Sequence, residues 1–299
     1  LGLLVPSLTN PMYGHIAREV ETAAQQGHGF RLLIGSTYRD REKESAFFED
    51  LLAHGVRRVI VISSLADERH FESAVERGMV VISYDRGATP GRRSRVGHVM
   101  PDNFEAARMA TAHLIAKGHR QLAFATVAGV TMSRSAKIDG FHAAAEAAGL
   151  GDQAQVIDGG ALNEYSDAVI AEVGRAMAAR VARMKQRPTG IVALNDLMAF
   201  GLMAGLRDAG LRVPQDISIV GIDGLYLSGL SNPALSTVEL PVHEMAQAMV
   251  EQAMARTEEE SARERVFAPR HLVERESVAP PPGAPARSGK PRAAEAKSR

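Results

Sequence analysis

The chain has 299 residues, 45% of them apolar and 23% charged, with 35 Lys plus Arg against 35 Asp plus Glu. A net charge of zero argues against gripping nucleic acid or an anionic membrane through bulk electrostatics. The absence of cysteine removes disulfides, thiolate metal sites, iron-sulfur clusters and cysteine nucleophiles.

Residues 1–5 read as a buried strand, and a first residue that is Leu rather than Met leads us to expect a preceding segment, either an export signal or another domain. Asn10-Pro11 is an N-cap and first-turn pair, and Met12, Ile16, Val20 and Ala23 share one face of a helix ending near Gly27. Strands are predicted at 30–34, 59–62 and 79–83, separated by helices that Gly55 and Gly78 stop. After a Gly/Pro/Arg-rich loop over 87–95 the alternation restarts. Helices are predicted at 102–117, 134–148, 169–184 and 197–209, and strands at 121–126, 155–158, 191–194 and 217–222.

A further helix through Met245, Met249 and Ala253, and short strands near Val266 and Leu272, must join the earlier sheets, while the tail 279–299 reads as disordered. The strand runs are continuously apolar, as in parallel sheets covered on both faces. The expected fold class is therefore α/β, with two successive doubly wound units of about five strands each. No apolar run approaches the ~18 residues of a membrane span, so a soluble chain is expected.

In open parallel sheets ligands sit beyond the carboxyl ends of the strands. In the first unit these ends carry Ser7, Thr9 and Asn10, then Met12 and Tyr13, Ser36, Ser63-Ser64 and Asp85-Arg86. In the second they carry 127–135 with Lys137 a turn on, Asp158-Gly159-Gly160, Asn195-Asp196 and Asp223-Gly224. Acids, amides, a cation and an aromatic converging on one cleft suit a small polar or polyhydroxylated molecule. Each position also has a structural reading: Asn195-Asp196 as a helix cap, Asp223-Gly224 as a turn, Asp85-Arg86 as an exposed ion pair.

No nucleophile elbow, dinucleotide fingerprint, phosphate loop or His-Glu-x-x-His motif is present. The ten histidines are scattered and fit surface or helix-end positions, so neither catalysis, metal nor cofactor is expected. The run Arg92-Arg93-Ser94-Arg95 fits a solvated loop better than a polyanion site. The segment 197–206 is apolar nearly all round. Its second face is covered either by a partner subunit, at Met198, Leu202 and Met203, or by the body of a larger core.

Several motifs in order carry a family resemblance. They are Leu1-Gly2-Leu3-Leu4-Val5-Pro6-Ser7-Leu8-Thr9-Asn10-Pro11, Ala116-Lys117-Gly118-His119-Arg120, Gly140-Phe141, Ala193-Leu194-Asn195-Asp196-Leu197-Met198-Ala199, Val213-Pro214-Gln215-Asp216-Ile217-Ser218-Ile219-Val220-Gly221-Ile222-Asp223 and Leu235-Ser236-Thr237-Val238. Together they resemble the effector-binding core of the lactose-repressor (LacI/GalR) family of bacterial transcription regulators.

The resemblance implies a periplasmic-binding-protein-like core of two lobes joined by three crossovers, near 99–102, 240 and 268. The lobes would be 1–100 plus 241–267 and 101–240 plus 268–278. It further implies a cytoplasmic homodimer and a helix-turn-helix headpiece that would precede Leu1 and contact operator DNA. A small effector, a sugar or related metabolite, would meet Met12, Tyr13, Asp85, Lys137, Asn195 and Asp223. Lys137 stands where the family commonly has Arg and lacks its planar fork, and Leu240 stands where sugar binders often carry an amide. An exported solute-binding protein of a transporter would share the fold and is the alternative; an enzyme ranks third.

Overall fold

Strand β1 (Gly2–Val5) is buried at every position, as a central strand covered on both faces must be. The computed structural model describes residues 1–38, 40–63, 69–88, 94–128, 131–160 and 167–283. Helix α1 (Pro11–His28) starts where Asn10 accepts a hydrogen bond from the Met12 amide and Pro11 occupies the first turn, and it ends at Gly29 in the left-handed conformation. The order continues with β2 (Leu33–Ser36), α2 (Arg41–Ala53), β3 (Arg58–Ile62), α3 (Arg69–Glu76), β4 (Val80–Tyr84), β5 (Gly97–Pro101) and α4 (Asn103–Ala116). Then come β6 (Leu122–Thr126), α5 (Met132–Ala147), β7 (Ala154–Asp158), α6 (Asp167–Ala182), β8 (Gly190–Ala193), α7 (Asp196–Asp208) and β9 (Ser218–Asp223). The described chain closes with β10 (Ser236–Glu239), α8 (Val242–Ala253), α9 (Glu258–Ser261), β11 (Glu264–Phe267) and β12 (His271–Val273).

Two six-stranded sheets result, ordered β11-β5-β4-β3-β1-β2 and β12-β10-β9-β8-β6-β7. Every pairing is parallel except β10 with β12. The α/β class holds, and in each sheet the strand order reverses once, between β1 and β3 and between β6 and β8, which is the doubly wound arrangement. The chain passes from one sheet toward the other after β5, after β10 and between β11 and β12. Helix α8 packs on α1 and on β3, β4 and β5, whereas α4 packs on β8, β9 and β10.

Strand β2 departs from the expected double burial: Leu33 is 50% and Ile34 46% exposed, because β2 is an edge of its sheet. Strand β5 was not anticipated. Its sequence, Gly-His-Val-Met-Pro, has a single β-branched residue, and a Cβ on Gly97 would lie 2.2 Å from the Ser261 carbonyl oxygen. Close backbone contact, rather than side-chain pattern, admits that strand.

The apolar helix α7 receives its second cover from its own chain. Helix α6 packs along it so closely that a Cβ on Gly201 would stand 1.9 Å from the Ala171 oxygen, and one on Gly205 2.3 Å from the Arg175 oxygen. Met198 and Leu202 have no exposed surface and Met203 is buried, so the placement of these three in a subunit interface is corrected: they are core. The side of α7 left half-buried is the stripe Leu197, Phe200 and Ala204.

The reading of 279–299 as a disordered tail is corrected for its first residues. The Ala279 amide donates to Ser218 Oγ, and the Ala279 oxygen accepts from His119 Nε2 and from Ser218 Oγ. Residues 284–299 lie outside the described residues. The histidines are also not all superficial. His98 is buried against the Arg86 oxygen and Ser94 Oγ, and His119 is fully buried.

Candidate functional site

The carboxyl ends of the two sheets face one cleft of about 840 Å³, counting its open mouth. Met12, Tyr13, Asp85, Lys137, Asn195 and Asp223 all border it. Asn10 and Pro11 start α1 at the end of β1, which sets Met12 and Tyr13 in its first turn against the cleft.

Asp85 follows β4 and Asp223 ends β9, and both have positive φ, 61° and 139°. Side chains rarely adopt this backbone, and such strain of roughly 1–3 kcal/mol persists where surrounding structure enforces it. At Asp85 the backbone amide donates to the Val99 oxygen at 3.0 Å, and Oδ1 accepts from Asn103 Nδ2 at 2.8 Å. After Asp223, the Gly224 amide donates to Thr237 Oγ1.

Asn195 stands between α7 and the cleft. Its Oδ1 accepts from the Met198 amide at 2.9 Å and caps α7, and its side chain still borders the cleft. The adjacent Asp196 does not reach the cleft. It is fully buried and accepts from the Leu225 amide, Ser228 Oγ and Thr237 Oγ1 at 2.9, 2.7 and 2.6 Å. Burial pushes its carboxyl up, against the opposing pull of those hydrogen bonds and of Arg275. Asp196 thereby ties α7 to the segment after β9 and to β10, the frame from which Asp223 projects.

The cationic wall is larger than the sequence suggested. Lys137 is buried and spends one of its three donors on the Leu194 oxygen at 3.2 Å. One turn earlier Arg134, also buried, borders the cleft and donates from Nη1 to the Ala128 oxygen. Positions 134 and 137 share a face of α5 by their i, i+3 spacing, a signal that would have located Arg134. Tyr84, Asn103 and Ser63 border the cleft as well. Burial first, then the charges of Asp85 and Asp223, raise the Tyr84 hydroxyl well above its usual range, so it stays neutral.

Other strand-end residues fall elsewhere. Asp158 is exposed and accepts from the Gly160 amide in a turn. Arg86 is buried, so Asp85-Arg86 is not an exposed ion pair. Ser64, Arg92 and Arg93 lie outside the described residues. Leu240 borders the cleft and presents an apolar surface. Among the described residues no group of three His, Asp or Glu could hold a metal, and no helix is long and apolar enough to cross a membrane.

Comparison with known proteins agrees with this architecture. Residues 111–278 match the family described as the periplasmic binding protein-like domain. An HTH-type transcriptional regulator from the aml 5' region of Streptomyces limosus is 33% identical over 257 residues, covering 84% of this chain and 70% of that protein. The HTH-type transcriptional regulator GalR of Escherichia coli is 29% identical over 285 residues, covering 94% and 79%. The crystal structure of a LacI family transcriptional regulator from Enterococcus faecium with bound ribose superposes with a TM-score of 0.80 at 25% identity, covering 93% of this chain and 98% of that one.

Proposed function

We propose, for a chain that belongs to the lactose-repressor (LacI/GalR) family of transcriptional regulators, that the cleft binds a small neutral polyhydroxylated effector, a sugar or related metabolite, and passes its occupancy to DNA-binding segments. The observation that carries this is the chemistry of the two walls. Asp85 and Asp223, one from each sheet, offer acceptors to ligand hydroxyls, while Arg134 and Lys137 on α5 offer donors to ligand oxygens. Met12, Tyr13 and Leu240 supply apolar surface for a ring. The ribose in the E. faecium regulator supports the same class. The transporter alternative is not favoured, because the relatives are regulators.

Regulation requires the effector to bind one arrangement of the lobes, 1–100 plus 241–267 and 101–240 plus 268–278, more tightly than the other. Dimerisation through the half-buried α7 stripe Leu197, Phe200 and Ala204 would couple two such cores, and operator DNA would be met by a helix-turn-helix preceding Leu1. The testing experiment is thermal shift and calorimetry with aldopentoses and aldohexoses on the wild type and on Asp223→Ala. Stabilisation of the wild type by at least one aldose, lost in the variant, is expected. Full retention in the variant would place the site elsewhere.

A further inference from the structure

We propose that the Tyr84 hydroxyl is a specificity-determining contact of the effector. It donates to the oxygen of an effector hydroxyl whose own proton goes to Asp85 or Asp223, so the end of β4 reads a hydroxyl and rejects the deoxy analogue. The inference rests on the cleft being the effector site. Tyr84 is the last residue of β4, is 4% exposed and borders the cleft. Its ring belongs to the same apolar cluster as Met12, Ile62 and Leu240, which also border the cleft. Its hydroxyl has no hydrogen-bond partner among the described residues and is not shut off from the surface, so it opens on the cleft that the residue borders.

Asp85, the next residue in the chain, and Asp223, from the other sheet, both act on this hydroxyl through their charge, which puts it between the two walls. Burial and these two carboxylates hold the phenol well above its ordinary range, so it keeps a proton to give. A carboxylate only accepts. Asp85, which already accepts from Asn103 Nδ2 at 2.8 Å, can take a proton from an effector hydroxyl and give none back. Arg134 and Lys137 stand on α5, on the opposite wall. Tyr84 supplies a donor beside the acceptors.

A hydroxyl both donates and accepts, so one placed here gives its proton to a carboxylate and takes one from Tyr84. Its replacement by hydrogen leaves the buried phenol facing a carbon, unpaired and cut off from water. A site built to bond a hydroxyl discriminates strongly against the analogue that lacks it. Because no described residue takes up the Tyr84 hydroxyl, removing it costs the empty protein nothing.

The test is Tyr84→Phe, read by thermal unfolding without ligand and by calorimetry with each aldopentose or aldohexose that stabilises the wild type and with its monodeoxy derivatives. Without ligand the variant melts at or above the wild-type temperature. The wild type binds one of the monodeoxy derivatives about tenfold or more weakly than the parent aldose. Tyr84→Phe binds the parent about tenfold or more weakly than the wild type does, and narrows that ratio severalfold. Ratios unchanged for every derivative overturn the inference, as does a parent affinity within about twofold of wild type. A melting temperature several degrees lower, or a variant that does not fold, overturns it too, since the hydroxyl would then be held by the protein. Binding of no aldose by the wild type overturns the effector reading itself, and this inference with it, an outcome distinct from aldose binding that ignores Tyr84.

Discussion

Asn103 Nδ2 and Asp85 Oδ1 lie 2.8 Å apart, and the bond spans the two halves of the molecule. Asp85 directly follows a strand of the first sheet, and Asn103 opens α4, which packs on the second. A carboxylate bordering the cleft is thus hydrogen-bonded by a residue of the other half. Asn103→Ala leaves the Asp85 carboxylate without that donor. At roughly 1.5–3 kcal/mol for a hydrogen bond to a charged group, aldose affinity should fall about tenfold or more, read by calorimetry. An affinity equal to wild type would show that Asp85 is aimed by something else.

Replacing the other acid should act without moving the fold. Asp223 is partly exposed at a strained position, so Asp223→Gly relieves backbone strain while removing the carboxylate. A melting temperature equal to or above that of the wild type without ligand, combined with loss of the aldose-induced shift, is the expected pair of results.

The contact between α6 and α7 sets a third expectation. Gly201→Ala drives a methyl group to within 1.9 Å of a backbone oxygen that cannot rotate away. The helices must separate, at a cost of about 1–3 kcal/mol, seen as a lower denaturant midpoint. A midpoint unchanged from wild type would mean that the helices pack less closely than described.

Charge on α7 should separate surface from core. Phe200→Glu, on the half-buried stripe, is expected to weaken self-association with little loss of monomer stability, whereas Met198→Glu is expected to unfold the chain, because Met198 is wholly buried. Sedimentation equilibrium and circular dichroism read the two effects. Undiminished association in Phe200→Glu would move the interface off this stripe.

Acid should loosen the chain through its histidines. Burial, the largest cause in each case, lowers His15, His113 and His119 below the usual 6.5. A depressed histidine binds protons more readily unfolded than folded, so stability is present above about 6.5 and is lost as pH falls below it. His119, which holds Thr189 and the Ala279 oxygen, should contribute most. In His119→Gln the fall in melting temperature between pH 7.5 and 5.5 should be smaller than in the wild type, from a lower starting value.

The alternation of apolar runs with helical stripes was enough to read two successive α/β units, because strands sandwiched between helices must be apolar throughout, and a sequence displays that directly. The residues at strand ends were legible for the same reason: once Val5, Tyr84, Ala193 and Ile222 lie in parallel strands, Met12, Asp85, Asn195 and Asp223 fall at their carboxyl edges. Contacts between elements distant in the chain were not legible. Whether α7 met a second subunit or α6 depended on two glycines meeting the backbone of a helix about thirty residues earlier. Periodicity records which face of a helix is buried and not what buries it. The same limit hid Asn103 behind Asp85 and Glu44 beneath Ser63, since a polar side chain carries no mark of its partner until folding brings the two within hydrogen-bond reach.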